Sequence, residues 1–122
     1  MSVLSRIAAV TIAGVAALGL GTPAQAIPSV YLFNLPTSAE CTSAGTNGVS
    51  GAVFVTYSCQ SGIAGYSLSA DPTYGTFTDA YIATFPTLAK CKAAGDAGIA
   101  AGAWTSYKCR PGIAGWDLLV TK

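Results

Sequence analysis

Apolar positions fall into short runs that recur along the chain. Val30-Tyr31-Leu32-Phe33 and Ala80-Tyr81-Ile82-Ala83 are aromatic and branched runs halted by Pro36 and Pro86, the pattern of a strand. Thr37 and Thr87 follow where a helix N-cap belongs. Thr37-Ser38-Ala39-Glu40 has the S/T-x-x-E form of a capping box, whereas Lys90 replaces Glu40 in the second run and leaves only the threonine half. Cys41, Gly45 and Gly48 then fall at i, i+4 and i+7 on one helical face, as do Cys91, Gly95 and Gly98. Glycine inside a helix costs ~1 kcal/mol relative to alanine. Either the helix approaches its sheet very closely at these glycines, or it ends at Gly45 and Gly95 as a C-cap. Val53 to Cys59 forms a second strand, with residues 53, 55, 57 and 59 expected to face inward because Cys59 must meet the helix. The third strands run from Gly65 through Ala70 and from Gly115 through Val120. They offer Tyr66 and Leu68, or Trp116, Leu118 and Val120, to the core. Gly-Ile-Ala-Gly between strands two and three reads as a turn or bulge. A phosphate-cradling loop is the sharper alternative, but the full P-loop and dinucleotide fingerprints are missing.

These runs are one unit written twice. A shift of 50 residues places Tyr31 on Tyr81, Pro36-Thr37 on Pro86-Thr87, Cys41 on Cys91, Tyr57 on Tyr107 and Cys59 on Cys109 without a gap. Gly62-Ile63-Ala64-Gly65 recurs unchanged as Gly112-Ile113-Ala114-Gly115, and Phe54 and Tyr66 become Trp104 and Trp116. The expected organisation is unit one over 27–72 and unit two over 73–122, forming one pseudo-symmetric domain, with Asp71 to Thr76 as the linker. The expected fold class is α+β: a tandem strand-helix-strand-strand unit with each helix packed on an antiparallel sheet. Whether the two units share one sheet stays open. Two matching units argue that each disulfide closes within its own unit, Cys41 with Cys59 and Cys91 with Cys109. In the chain-entropy model such loops contribute roughly 3 kcal/mol each, and units this small need the help.

Residues 1–26 carry a different signal. One cation, Arg6, precedes an apolar stretch from Ile7 to Leu20, and the segment closes on Ala24-Gln25-Ala26, an A-x-A cleavage site. The apolar core is short against the ~20 residues that span a bilayer. A signal peptide and a secreted, extracellular product are expected, and the even cysteine count suits that oxidising compartment. Ile27-Pro28-Ser29 would follow the cut as a frayed terminus or as an arm able to add to another sheet edge.

Composition narrows the function. Of 122 residues, 52% are hydrophobic and 9% charged, with no histidine. Without Arg6 the positive and negative charges balance, so binding of nucleic acid by global charge is excluded. Histidine-based triads, ligands and pH switches are excluded with it. The acids form no evident pair, no S-x-x-K motif occurs, and bonded cysteines are not nucleophiles. No enzyme, no metal and no cofactor is expected.

The two units differ in charge. Unit one has Glu40 and Asp71 and no cation. Unit two has Lys90, Lys92, Lys108, Arg110 and Lys122 against Asp79, Asp96 and Asp117. Lys90 and Lys92 flank Cys91, and Lys108 and Arg110 flank Cys109, so the disulfide gathers four cations. In unit one those positions are Glu40, Thr42, Ser58 and Gln60. Trp104 is expected on the outward strand face beside Lys108 and Arg110. Lys90, Lys92, Trp104, Lys108 and Arg110 are therefore the candidate partner-binding residues, with Trp and Arg favoured at hot spots. The competing structural reading has the cations solvating a rim, Asp117 neutralising one, and Phe54 and Trp104 packing the units together.

The expected function is a non-enzymatic, protein-binding module: an adaptor or subunit of an extracellular complex whose partner is another secreted protein. The alternative is an inhibitor of an extracellular hydrolase that presents the segment around Arg110-Pro111-Gly112. The leader and the tandem pattern P-T-x-A-x-C-x-x-A-G-x-x-G…Y-x-C-x-x-G-I-A-G resemble small two-repeat disulfide-bearing secreted proteins of actinobacteria. In size, export and disulfide-bearing design the chain is also similar to adaptor subunits of secreted umbrella toxin particles. That resemblance implies an adaptor role and assigns no binding residue.

Overall fold

A computed structural model describes residues 29–122. The expected signal peptide over 1–26, and Ile27-Pro28 of the possible arm, lie outside the described residues. The chain runs β1 (Val30–Leu35), α1 (Ser38–Ser50), β2 (Phe54–Gly62), β3 (Gly65–Pro72), β4 (Ala80–Phe85), α2 (Leu88–Ala100), β5 (Ser106–Gly112) and β6 (Gly115–Thr121). Both units are strand-helix-strand-strand, and the fold is α+β. Two separate three-stranded antiparallel sheets form, ordered β1-β3-β2 and β4-β6-β5, which answers the question of a shared sheet. Each unit carries its own disulfide, Cys41–Cys59 and Cys91–Cys109, with the paired Cα atoms 6.1 Å apart in both.

Thr37 and Thr87 cap the helices. Their hydroxyls accept from the backbone N–H of Glu40 and Lys90, each at 3.1 Å, and satisfy one of the orphan donors of the first turn. The glycine question resolves toward close approach. Both helices continue well past Gly45 and Gly95, and all four glycines are buried. A Cβ at Gly45 would land in the Tyr57 ring and one at Gly48 in Phe54. In unit two the same atoms would land in Tyr107 and Trp104. Each helix thus lies against aromatic rings of its own second-strand region, where the disulfide ties the two together.

Strand alternation is broken by bulges, in β1 between Tyr31 and Phe33, in β4 between Tyr81 and Ala83, and in β2, where the bulge changes the expected inward set. The register of β2 on β3 shifts between Phe54 and Thr56. An extra residue reverses which side chains face inward. Tyr57 and Cys59 face the core as expected and Val53 is buried, but Val55 is 48% exposed and Phe54 takes the inward place. The linker also begins later than expected. Asp71 and Pro72 belong to β3, and Thr73 N–H donates to Val53 O at 3.1 Å. Phe77 anchors the linker. It is buried and exchanges backbone hydrogen bonds of 3.1 and 2.9 Å with Lys122, whose ammonium caps Thr73 O at 2.7 Å.

The units share one core through exchanged helices. Besides its own sheet, α1 packs on β4 and α2 packs on β1. Asn47 Nδ2 donates to Ile82 O at 2.9 Å across that boundary. Phe33 and Phe85 meet edge to face with ring centroids 5.6 Å apart.

Where each helix ends, the two copies solve one backbone problem differently. Ala52 has φ 62° and the equivalent Gly102 has φ 79°. A left-handed L-residue costs about 1–2 kcal/mol, offset in part by the greater unfolded-state freedom of glycine. Ala52→Gly is therefore expected to raise stability by about 0.5–1 kcal/mol, read as a higher midpoint in urea, and Gly102→Ala to lower it. No change in either variant would remove this account.

Candidate functional site

Strands β2 and β3, and β5 and β6, meet in tight hairpins built from the repeated Gly-Ile-Ala-Gly. Gly62 pairs with Gly65 and Gly112 with Gly115, so only Ile63-Ala64 and Ile113-Ala114 form the loops. The second glycine of each motif is obligatory. Gly65 has φ 115° and Gly115 φ 141°, and a Cβ there would strike the carbonyl oxygens of Leu35 and Phe85. The isoleucines have no such structural reason. Ile63 and Ile113 are fully exposed, although nearly every other large aliphatic side chain of the strands is covered. The turn reading of the sequence accounts for the glycines and overlooks the isoleucines. Their identity in both copies was the available signal.

The predicted basic cluster is divided by the fold. Lys108 Nζ lies 3.2 Å from Asp79 Oδ2, and Arg110 Nη2 lies 3.5 Å from Asp117 Oδ2. The Lys108 and Arg110 heads are largely exposed, and such pairs contribute about 0–1 kcal/mol. Asp117 also accepts from Thr84 Oγ1 at 2.7 Å, and Thr84 shares a 2.6 Å hydrogen bond with Tyr81, so the outer face of this sheet carries a connected polar row. Lys90 is turned away from it, into the cleft between β1 and α2. Lys92 contributes its backbone carbonyl beside the Tyr107 hydroxyl. That hydroxyl donates to Asp96 Oδ1 at 2.9 Å, and burial, followed by Asp96, raises the pKa of the Tyr107 phenol.

Trp104 is corrected outright. It is 1% exposed, its ring covers Gly98, and its indole N–H donates to Gly95 O at 2.9 Å. It precedes β5 and occupies the place of Phe54, so the alternation that put it beside Lys108 and Arg110 does not reach it. A buried tryptophan with a satisfied N–H is a core residue, not a surface anchor.

Two clefts flank the helix exchange. One, of about 500 Å³ between β1 and α2, is lined by Tyr31, Leu35, Glu40, Phe85, Lys90 and Ala97 among others. Its counterpart between α1 and β4, of about 380 Å³, is bridged by the Asn47 to Ile82 hydrogen bond. The residue equivalent to Asn47 is Ala97, which has no side chain to bridge with. Among the described residues no cluster of three or more His, Cys, Asp or Glu side chains is placed to hold a metal ion. No described helix is long and apolar enough to cross a membrane. Comparison with protein families, with curated proteins and with solved structures returns no match for this chain.

Proposed function

We propose that the protein is a secreted, non-enzymatic binding module that serves as an adaptor or subunit of an extracellular complex. The observation that carries this reading is the pair of fully exposed isoleucines, Ile63 and Ile113, on disulfide-braced hairpins. Rigid apolar tips lose little entropy on docking and gain by leaving water. The exposed Lys90 and Lys92 add cations suited to an acidic neighbour on the partner, with Glu40 lining the same cleft as Lys90. The disulfides agree with an oxidising compartment, and the A-x-A site of the leader supplies the route to it. The likeness to umbrella-particle adaptors points the same way.

The inhibitor reading has less support. Arg110-Pro111-Gly112 is the end of β5, with Pro111 opposite Trp116 and Arg110 paired to Asp117, so the arginine is not offered on a protruding loop.

The test is the double variant Ile63→Ser, Ile113→Ser. Surface changes of this kind move stability by no more than about 0.5 kcal/mol, so its thermal midpoint should match that of the parent. Affinity capture from culture supernatant should return a stoichiometric partner with the parent and not with the variant. Equal recovery by both proteins would defeat the proposal.

A further inference from the structure

Each sheet has two terminal strands, β1 and β2 in one and β4 and β5 in the other, and the equivalent strands β2 and β5 differ in how their edges are protected. An open edge is a template for pairing with another chain, and proteins blunt it with cations and proline. β5 is blunted in this way by Lys108, Arg110 and Pro111. At the same places β2 has Ser58, Gln60 and Ser61. It is nine residues long, and from Val55 onward all of it is exposed except the half-buried Tyr57 and Cys59. Val55, pushed outward by the bulge, adds an exposed branched side chain to the same strand.

The geometry points to β2 as a self-pairing edge, which joins two copies of this chain into one antiparallel six-stranded sheet. Ser58 is the middle residue of β2. A two-fold axis at that point sets Ser58 against Ser58 of the second copy, Thr56 against Gln60, and Val55 against Ser61. Every polar side chain of β2 in that set is an uncharged hydroxyl or amide, so the strand complements itself, and the carboxylate beside it, Asp71 of β3, already accepts from Thr56 Oγ1 at 2.9 Å. The same operation on β5 sets Lys108 against Lys108, and like charges directly opposite are destabilising. Pro111 would leave that ladder short of a donor. The charge difference between the repeats thus leaves β2 open and closes β5. Pairing of β2 with β2 about a two-fold axis uses the same edge of both copies, so it closes on a dimer. This inference does not depend on the role given to the isoleucine tips.

Sedimentation equilibrium on the exported chain, from low micromolar to near-millimolar protein, tests it. A single strand edge buries less than the ~1,600 Å² of a standard interface, so a monomer–dimer equilibrium in the upper micromolar range is expected. The variant Ser58→Lys, Gln60→Arg, Ser61→Pro gives β2 the residues that unit two accommodates at the same places. It should keep the parent's circular dichroism and melting midpoint while its dimer dissociation constant rises at least tenfold. The reverse variant, Lys108→Ser, Arg110→Gln, Pro111→Ser, should extend association beyond the dimer. A parent that stays monomeric throughout, or a dimer untouched by the β2 changes, overturns the inference. So does a parent whose β2 amides gain hydrogen-exchange protection only when a second exported protein is added.

Discussion

Gly98→Ala is expected to destabilise the protein by about 2 kcal/mol, although alanine is the better helix former. The gain in propensity is ~1 kcal/mol. Against it stands overpacking, which costs about 1–3 kcal/mol and more where neighbours cannot move. The added methyl would sit inside the six-membered ring of Trp104. That ring is held by its N–H bond to Gly95 O and is closed off from solvent, so relief requires moving α2 away from its sheet, against the Cys91–Cys109 bond. For a domain of this size a loss of 2 kcal/mol lowers the melting midpoint by roughly 10 °C. Calorimetry checks it. An unchanged or raised midpoint would show that the glycine is not needed for the approach of helix to ring.

Removing one disulfide as an alanine pair, either Cys41→Ala with Cys59→Ala or Cys91→Ala with Cys109→Ala, is expected to cost about 3 kcal/mol. The two loops have the same length, a separation of 18 residues, so the two losses should be nearly equal. Ordinary domains hold only about 5–15 kcal/mol in all, and loss of both bonds should leave the chain largely unfolded. The shape of the transition is as informative as its position. Because α1 leans on β4 and α2 on β1, neither unit can melt while the other stays intact. Each variant should therefore show one cooperative transition at a lower temperature. Two resolved transitions, with the unaltered unit melting at the parental midpoint, would contradict the shared core.

Much of this arrangement was legible from residue order because the signals were local. Proline stops, threonine caps and the cysteine spacing each act over a few residues, and their recurrence at a constant interval fixed the unit and its disulfide. What escaped was set by contacts between units or by an irregular register. Nothing local to Asn47 says that its amide will serve Ile82 of the other repeat. Val55 and Trp104 were assigned by counting alternate residues back from a cysteine. One bulged residue reverses that count at Val55, and Trp104 lies before its strand begins. The divided basic cluster failed for a related reason. The disulfide brings the backbones of Lys90 and Arg110 near each other, but one residue is on a helix and the other on a strand, and their side chains leave in different directions. The isoleucine tips went unnoticed because a turn motif is read by its glycines.

The exchange of helices has a consequence for how such a chain arises. A solitary repeat would leave its first strand uncovered on the side where the other repeat's helix now lies, and its own helix without half of its support. Two identical free repeats would meet that need by associating about an axis and would lose it again on dilution. Joining them through Thr73 to Asp79 makes the encounter permanent and independent of concentration. Once symmetry is no longer enforced by identity, one half can acquire an asparagine where the other retains an alanine, and a basic border where the other remains neutral.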